Sequence, residues 1–160
     1  MYTADALLDI HERCHQNLAG LLAHCAQLTP EQLNQELAGF GYPTIRLQLH
    51  HEICAERYWI GVVHGLMQID DDDDQYPSIV RLESLRSQVA NVTRDYLRKA
   101  STAELNTPRL MLTWGNRERR LRPAHVVLRT QMHLYHHQGQ VLAMCRLLGK
   151  PHTGLDFPIV

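Results

Sequence analysis

Between Pro123 and Gly149 the residues Val127, Leu134, Val141 and Leu148 recur every seven positions, and Thr130, His137 and Met144 follow the first three by three places. Spacing of this kind runs along one face of an α-helix two turns at a time. Such a face must be covered by other helices, so the segment constrains the chain to a bundle before any other residue is considered. It also places His137 in the apolar seam, with His133 bordering it.

Breakers divide the rest of the chain into further helix-length pieces. The first is expected from about Ala4 to Gln27, ahead of Thr29-Pro30-Glu31, where Thr29 can cap a short turn. A glycine-rich connection, Gly39 to Pro43, leads to Thr44 as the cap of a second helix reaching about Met67. The run Asp70 to Asp74 ends it, and Pro77-Ser78 begins a third helix to about Lys99. Leu110, Leu112 and Trp114 then alternate with other residues before Gly115-Asn116, which predicts a short β-hairpin. The last helix starts near Pro123 and stops at Gly149-Lys-Pro151, leaving an extended tail. The expected fold is all-α: one domain over residues 1–160, an antiparallel-type four-helix bundle with a small β-hairpin before the last helix.

Composition narrows the function. The chain has 160 residues, 44% apolar and a formal charge of −1, which suits one globular core and argues against a nucleic-acid partner. No apolar run approaches a membrane span, and the opening MYTADALLDIHERC has no basic stretch followed by an apolar one, so a cytoplasmic protein without a membrane partner is expected. Cys14, Cys25, Cys54 and Cys145 form no C-x-x-C pair and read as buried thiols. Eleven histidines are the compositional oddity.

His133 and His137 lie four residues apart on the last helix, so they are separated by roughly 40° and about 6 Å along the axis and can reach one ion. A buried unpaired imidazole costs on the order of 1–3 kcal/mol, and two turned inward are better explained by a shared ion. From Arg119 to Pro151 there is no Asp or Glu, so an ion held here would keep its positive charge. The second helix offers the third ligand. His51 shares its side with Leu47, Cys54, Ala55, Tyr58 and Val62 and is the expected ligand; His50 shares its side with Arg46, Arg57 and His64 and is expected in solvent.

The set His51-(x)4-Glu56-x-x-Trp59, followed by His133-x-x-x-His137-Gln-Gly-Gln140, resembles the DinB/YfiT-like proteins. Their signature is a lone histidine in the second helix and H-x-x-x-H-R-G-Q in the fourth. Helix order, the hairpin and the closing Leu-Gly-Lys-Pro turn are similar too, so the resemblance covers nearly the whole chain. It implies that His51, His133 and His137 hold a divalent transition metal, nickel or zinc, with other positions open to water. Gln138 stands where the family has arginine, which removes an anion contact but leaves the ligand spacing intact. Gly139 would let helices approach closely, and Gln140 would orient a ligand or bound water.

Three neutral ligands leave the metal a strong Lewis acid. The resemblance favours a metal- and thiol-dependent transferase of S-transferase or isomerase type, with a small-molecule thiol and a small electrophile as partners. A metal-dependent hydrolase and a non-catalytic metal-binding stress-response protein are the alternatives. Three other motifs read more plainly. His11-Glu12-Arg13-Cys14-His15 matches the zinc-protease pattern but is expected to be a surface face of the first helix, with a face lining the central cavity as the alternative. The Asp70 to Asp74 run lacks calcium-loop spacing and reads as a solvated turn. Arg117, Arg119 and Arg120 read as a solvated strand edge, with an anion-binding role at the pocket mouth as the alternative. Leu49, Ile53, Ile60 and Met67 give the second helix another apolar face, so it is sandwiched or meets a second subunit, and a homodimer is expected.

Overall fold

The computed structural model describes residues 1–67 and 72–159. Four long helices build it: α1 (Ala4–Cys25), α3 (Ile45–His64), α4 (Ile79–Lys99) and α6 (Pro123–Leu147). Short helices α2 (Pro30–Leu33) and α5 (Thr102–Asn106) sit in the connections, and β1 (Arg109–Thr113) pairs antiparallel with β2 (Arg117–Leu121) just before α6. The all-α bundle with its hairpin is as expected.

Local chemistry sets the boundaries. Thr3, Thr29, Thr44, Ser78 and Ser101 each accept a backbone N–H in the first turn of the helix that follows, and Thr29 forms a reciprocal capping box with Gln32. Helix α3 stops at His64, short of the expected Met67, because Gly65 takes φ +74° and closes a left-handed cap, with Leu66 N–H bonding back to the Gly61 carbonyl at 2.8 Å. Gly149, at φ +70°, ends α6 the same way. Of the aspartate run, Asp72 to Asp74 lead into a single 3-10 turn over Asp73–Gln75; Asp70 and Asp71 lie outside the described residues.

The helices form a ring in the order α1, α4, α3, α6. Directions follow from the contacts. Gln48 meets Gln140, His51 meets His133, and Trp59 lies under Arg129, so α3 and α6 are antiparallel. His11 meets Ala90 and His15 meets Arg86, so α1 and α4 are antiparallel as well. By contrast, Tyr2 meets His125 and Asn17 meets Tyr135, so α1 and α6 run parallel. Glu56 with Thr93 and His64 with Tyr96 set α3 and α4 parallel too. The bundle is therefore not antiparallel throughout: the long connection between α3 and α4 carries the chain back before α4 starts.

Asp73 and Tyr76 of that connection cover the N-terminal part of the α3 face expected in water. Arg46 donates to Asp73 at 2.7 Å, and His50 packs on Tyr76 with ring centroids 5.2 Å apart. His50 is accordingly buried, at 6% exposure, which corrects the solvent assignment. Leu49, Ile53 and Ile60 are buried within the one chain, so the second apolar face of α3 is covered by its own bundle. No disulfide joins the cysteines: Cys14, Cys25 and Cys145 are buried thiols and Cys54 is half-buried against His50. In the hairpin, Met111 and Thr113 face inward while Leu110, Leu112 and Trp114 point out. Among the described residues no helix is long and apolar enough to cross a membrane.

Candidate metal centre

Helices α3 and α6 bring His51, His133 and His137 together midway along their contact. Nε2 of His51 and Nε2 of His133 are 3.2 Å apart, and the His137 ring lies 4.7 Å and 4.4 Å, centroid to centroid, from the other two. One ring nitrogen from each lies within 4.8 Å of the others. Two nitrogens bound to zinc at about 2.05 Å in tetrahedral geometry stand about 3.3 Å apart, so the His51–His133 separation already fits a shared ion.

The supporting groups fix which nitrogens face inward. Nδ1 of His137 donates to Oε1 of Gln48 at 2.6 Å, which leaves Nε2 as its lone-pair nitrogen. Gln48 is itself fully buried, and its amide nitrogen donates to Oε1 of Gln140 at 2.9 Å and to the Tyr42 carbonyl at 3.0 Å. Gln140 thus acts on His137 through Gln48 rather than directly. It also bonds His136, which stands outside the cluster, at 2.9 Å. The Tyr42 ring stacks on His51 at 4.1 Å and closes the outer side. Gly139 is exposed, and a side chain there would meet open space, so the expected close helix approach is absent.

Burial, reinforced by neighbouring imidazoles, keeps all three rings neutral at neutral pH. Burial, then the neighbouring rings, holds His137 down to about 3. Burial, with His51, His136 and Arg129 adding, holds His133 at about 4, and burial with His50 lowers His51. Three uncharged donors with converging lone pairs are compatible with a divalent metal.

A second cluster escaped the sequence reading. His11 and His15 are not on the surface: they are 0% and 4% exposed and face Glu56, 1% exposed. His15 Nε2 lies 2.9 Å from Glu56 Oε2, His11 Nδ1 lies 3.5 Å from Oε1, and Thr93 donates to Oε1 at 2.7 Å. Burial alone would raise Glu56, but His15, His11 and the Thr93 hydroxyl outweigh it and hold the carboxyl at about 2; burial lowers His11 to about 4. Glu12, the would-be protease base, points outward and pairs with Arg94 at 3.2 Å. The signal was present in the chain: Leu7, His11, Cys14, Leu18, Leu21 and Cys25 follow an alternating four-three spacing, so His11 occupies a core position.

A model of the DinB family matches residues 6–160. The chain belongs to the DinB family. Among curated proteins none matches this chain. Among the described residues of this DinB chain, both oxygens of Glu52 and both amide atoms of Gln138 are buried without hydrogen-bond partners. Burial pushes the Glu52 carboxyl well above its ordinary range. Where the start of α6 meets the second half of α3, Arg119, Arg120, Arg122 and Arg129 line a cavity of about 300 Å³ with Trp59 and His125. The Arg129 guanidinium sits 5.3 Å from the Trp59 ring. This pocket begins one turn of α6 before His133.

Proposed function

We propose that this DinB protein is a metal- and thiol-dependent transferase in which His51, His133 and His137 hold a divalent transition metal, nickel or zinc. The observation that carries the reading is the convergence of three neutral imidazoles, one of them braced by a buried glutamine that sets its tautomer. A metal bound there supplies Lewis acidity, favouring the thiolate form of a small-molecule thiol over the thiol.

The remaining work belongs to the chain's own side chains. Gln48 keeps the His137 proton on Nδ1, and Gln140 keeps Gln48 in place. Tyr42 shields His51 from water. The arginine-lined pocket beside Trp59 suits an anionic group on the thiol or on the electrophile, since it gathers positive charge and its nearest arginine, Arg129, stands one turn of α6 from His133.

Titration of the zinc- or nickel-loaded protein with glutathione and other small thiols tests this. Saturable thiol binding that disappears in His133→Ala supports the transferase. Metal binding with no thiol effect favours the non-catalytic binding protein, and ester or amide cleavage without thiol favours the hydrolase.

A further inference from the structure

The triad His11, His15 and Glu56 has a feature that a simple hydrogen-bonded network does not explain. Nε2 of His11 lies 3.1 Å from the Ala90 carbonyl and must donate to it, so Nδ1 carries a lone pair. That nitrogen is buried, has no hydrogen-bond partner, and looks across 3.5 Å at Glu56 Oε1, an acceptor already served by Thr93. Two acceptors facing each other in a dry interior are relieved only by a positive species between them. A proton on Nδ1 is poorly placed for this, because 3.5 Å is too long for a good N–H···O bond. An ion that also reaches His15 Nε2, 2.9 Å from Glu56 Oε2, is placed well.

The surroundings match what metal-ligating side chains require. His11 is oriented by a backbone carbonyl on its other nitrogen and Glu56 by a hydroxyl, the bracing that fixes imidazole and carboxylate ligands. The ligand atoms lie within 4.8 Å of one another, so shifts of under about 1 Å bring them to zinc distances of about 2.1 Å.

We propose that His11 Nδ1, His15 Nε2 and the Glu56 carboxylate form a second, buried metal site for a zinc-type divalent ion, a structural clamp that ties α1 to α3. The site is closed: Ala90 and Thr93 of α4 stand behind it, and no ligand is open to solvent. In the loaded protein His15 carries its proton on Nδ1, and Arg86, whose contact there is already long at 3.4 Å, turns away while keeping Glu83. This site stands independently of the one on α3 and α6.

The test removes the other site first. The variant His51→Ala, His133→Ala, His137→Ala is unfolded with chelator, refolded with zinc, desalted, and its zinc counted by mass spectrometry. One ion per chain is expected, with a melting temperature above that of the same variant refolded in chelator. Adding His11→Gln should remove both the ion and the metal-dependent rise. A refolded triple variant that holds no zinc, or zinc retained undiminished after His11→Gln, overturns the proposal. Should the triple variant fail to refold, the count falling by one ion from wild type to His11→Gln supports the clamp, and an unchanged count overturns it. Failure of the α3–α6 site reads differently, since the triple variant would then lose no zinc relative to wild type.

Discussion

Replacing Gln48 with leucine is the sharpest perturbation of the α3–α6 centre that leaves its three imidazoles in place. Gln48 accepts the Nδ1 proton of His137 at 2.6 Å and is itself held by bonds to Gln140 and the Tyr42 carbonyl. Leucine removes the acceptor but fills most of the space. The buried Nδ1–H is then unsatisfied, at about 1–3 kcal/mol, and the ring can turn or switch tautomer. Loss of such a supporting group weakens metal binding by about 10- to 100-fold, or about 1.4–2.7 kcal/mol. Gln140→Ala removes one of the two bonds that hold Gln48, so its effect should be smaller, and His137→Ala should be largest. Competition with a chromophoric chelator measures all three, with circular dichroism confirming that each variant is folded. Wild-type affinity in Gln48→Leu, or a larger loss in Gln140→Ala than in Gln48→Leu, would refute the reasoning.

Other expectations follow from the buried carboxyls and the arginine pocket. Glu52→Leu should raise stability by about 1–3 kcal/mol in urea melts, since it removes two buried oxygens without partners. The folded Glu52 value is raised above the unfolded one, so the wild type bears this penalty increasingly as pH climbs above about 4.5, and the gain should be larger at pH 8 than at pH 5. Glu56→Ala in metal-free protein should cost about 3–5 kcal/mol at pH 7, because it leaves His15 and Thr93 facing nothing. Glu56 is depressed to about 2 in the fold, so its contribution is full above about 4.5 and fades as pH falls through about 2; the gap between wild type and variant should close over that window in acid melts. Arg129→Ala should weaken binding of anionic thiols several-fold by calorimetry while metal affinity stays within about twofold.

Much of the fold and one of the two clusters could be read from the chain because their signals are local. Caps at Thr29, Thr44 and Ser78 and the stop at Gly149 depend on a few neighbouring residues; the Gly65 cap, equally local, ends α3 ahead of the expected Met67. His133 and His137 share a face through helical spacing alone, and the apolar neighbours of His51 mark it as inward. What depended on chain reversal was not legible. The parallel pairing of α3 with α4 needs a connection whose path no residue pattern states, and that same connection buries His50 beneath Tyr76. Gln48 carries no mark in sequence of its bond to a histidine 89 positions away. The His11–His15–Glu56 cluster joins α1 to α3, so literal motif matching paired the histidines with Glu12 while the structure pairs them with Glu56.

The most direct measurement is the anomalous difference map of a crystal loaded with zinc, collected on both sides of the zinc edge. The account predicts a peak about 2.0–2.1 Å from Nε2 of His51, of His133 and of His137 together. A zinc-loaded crystal with these three rings well ordered and no peak between them would contradict it.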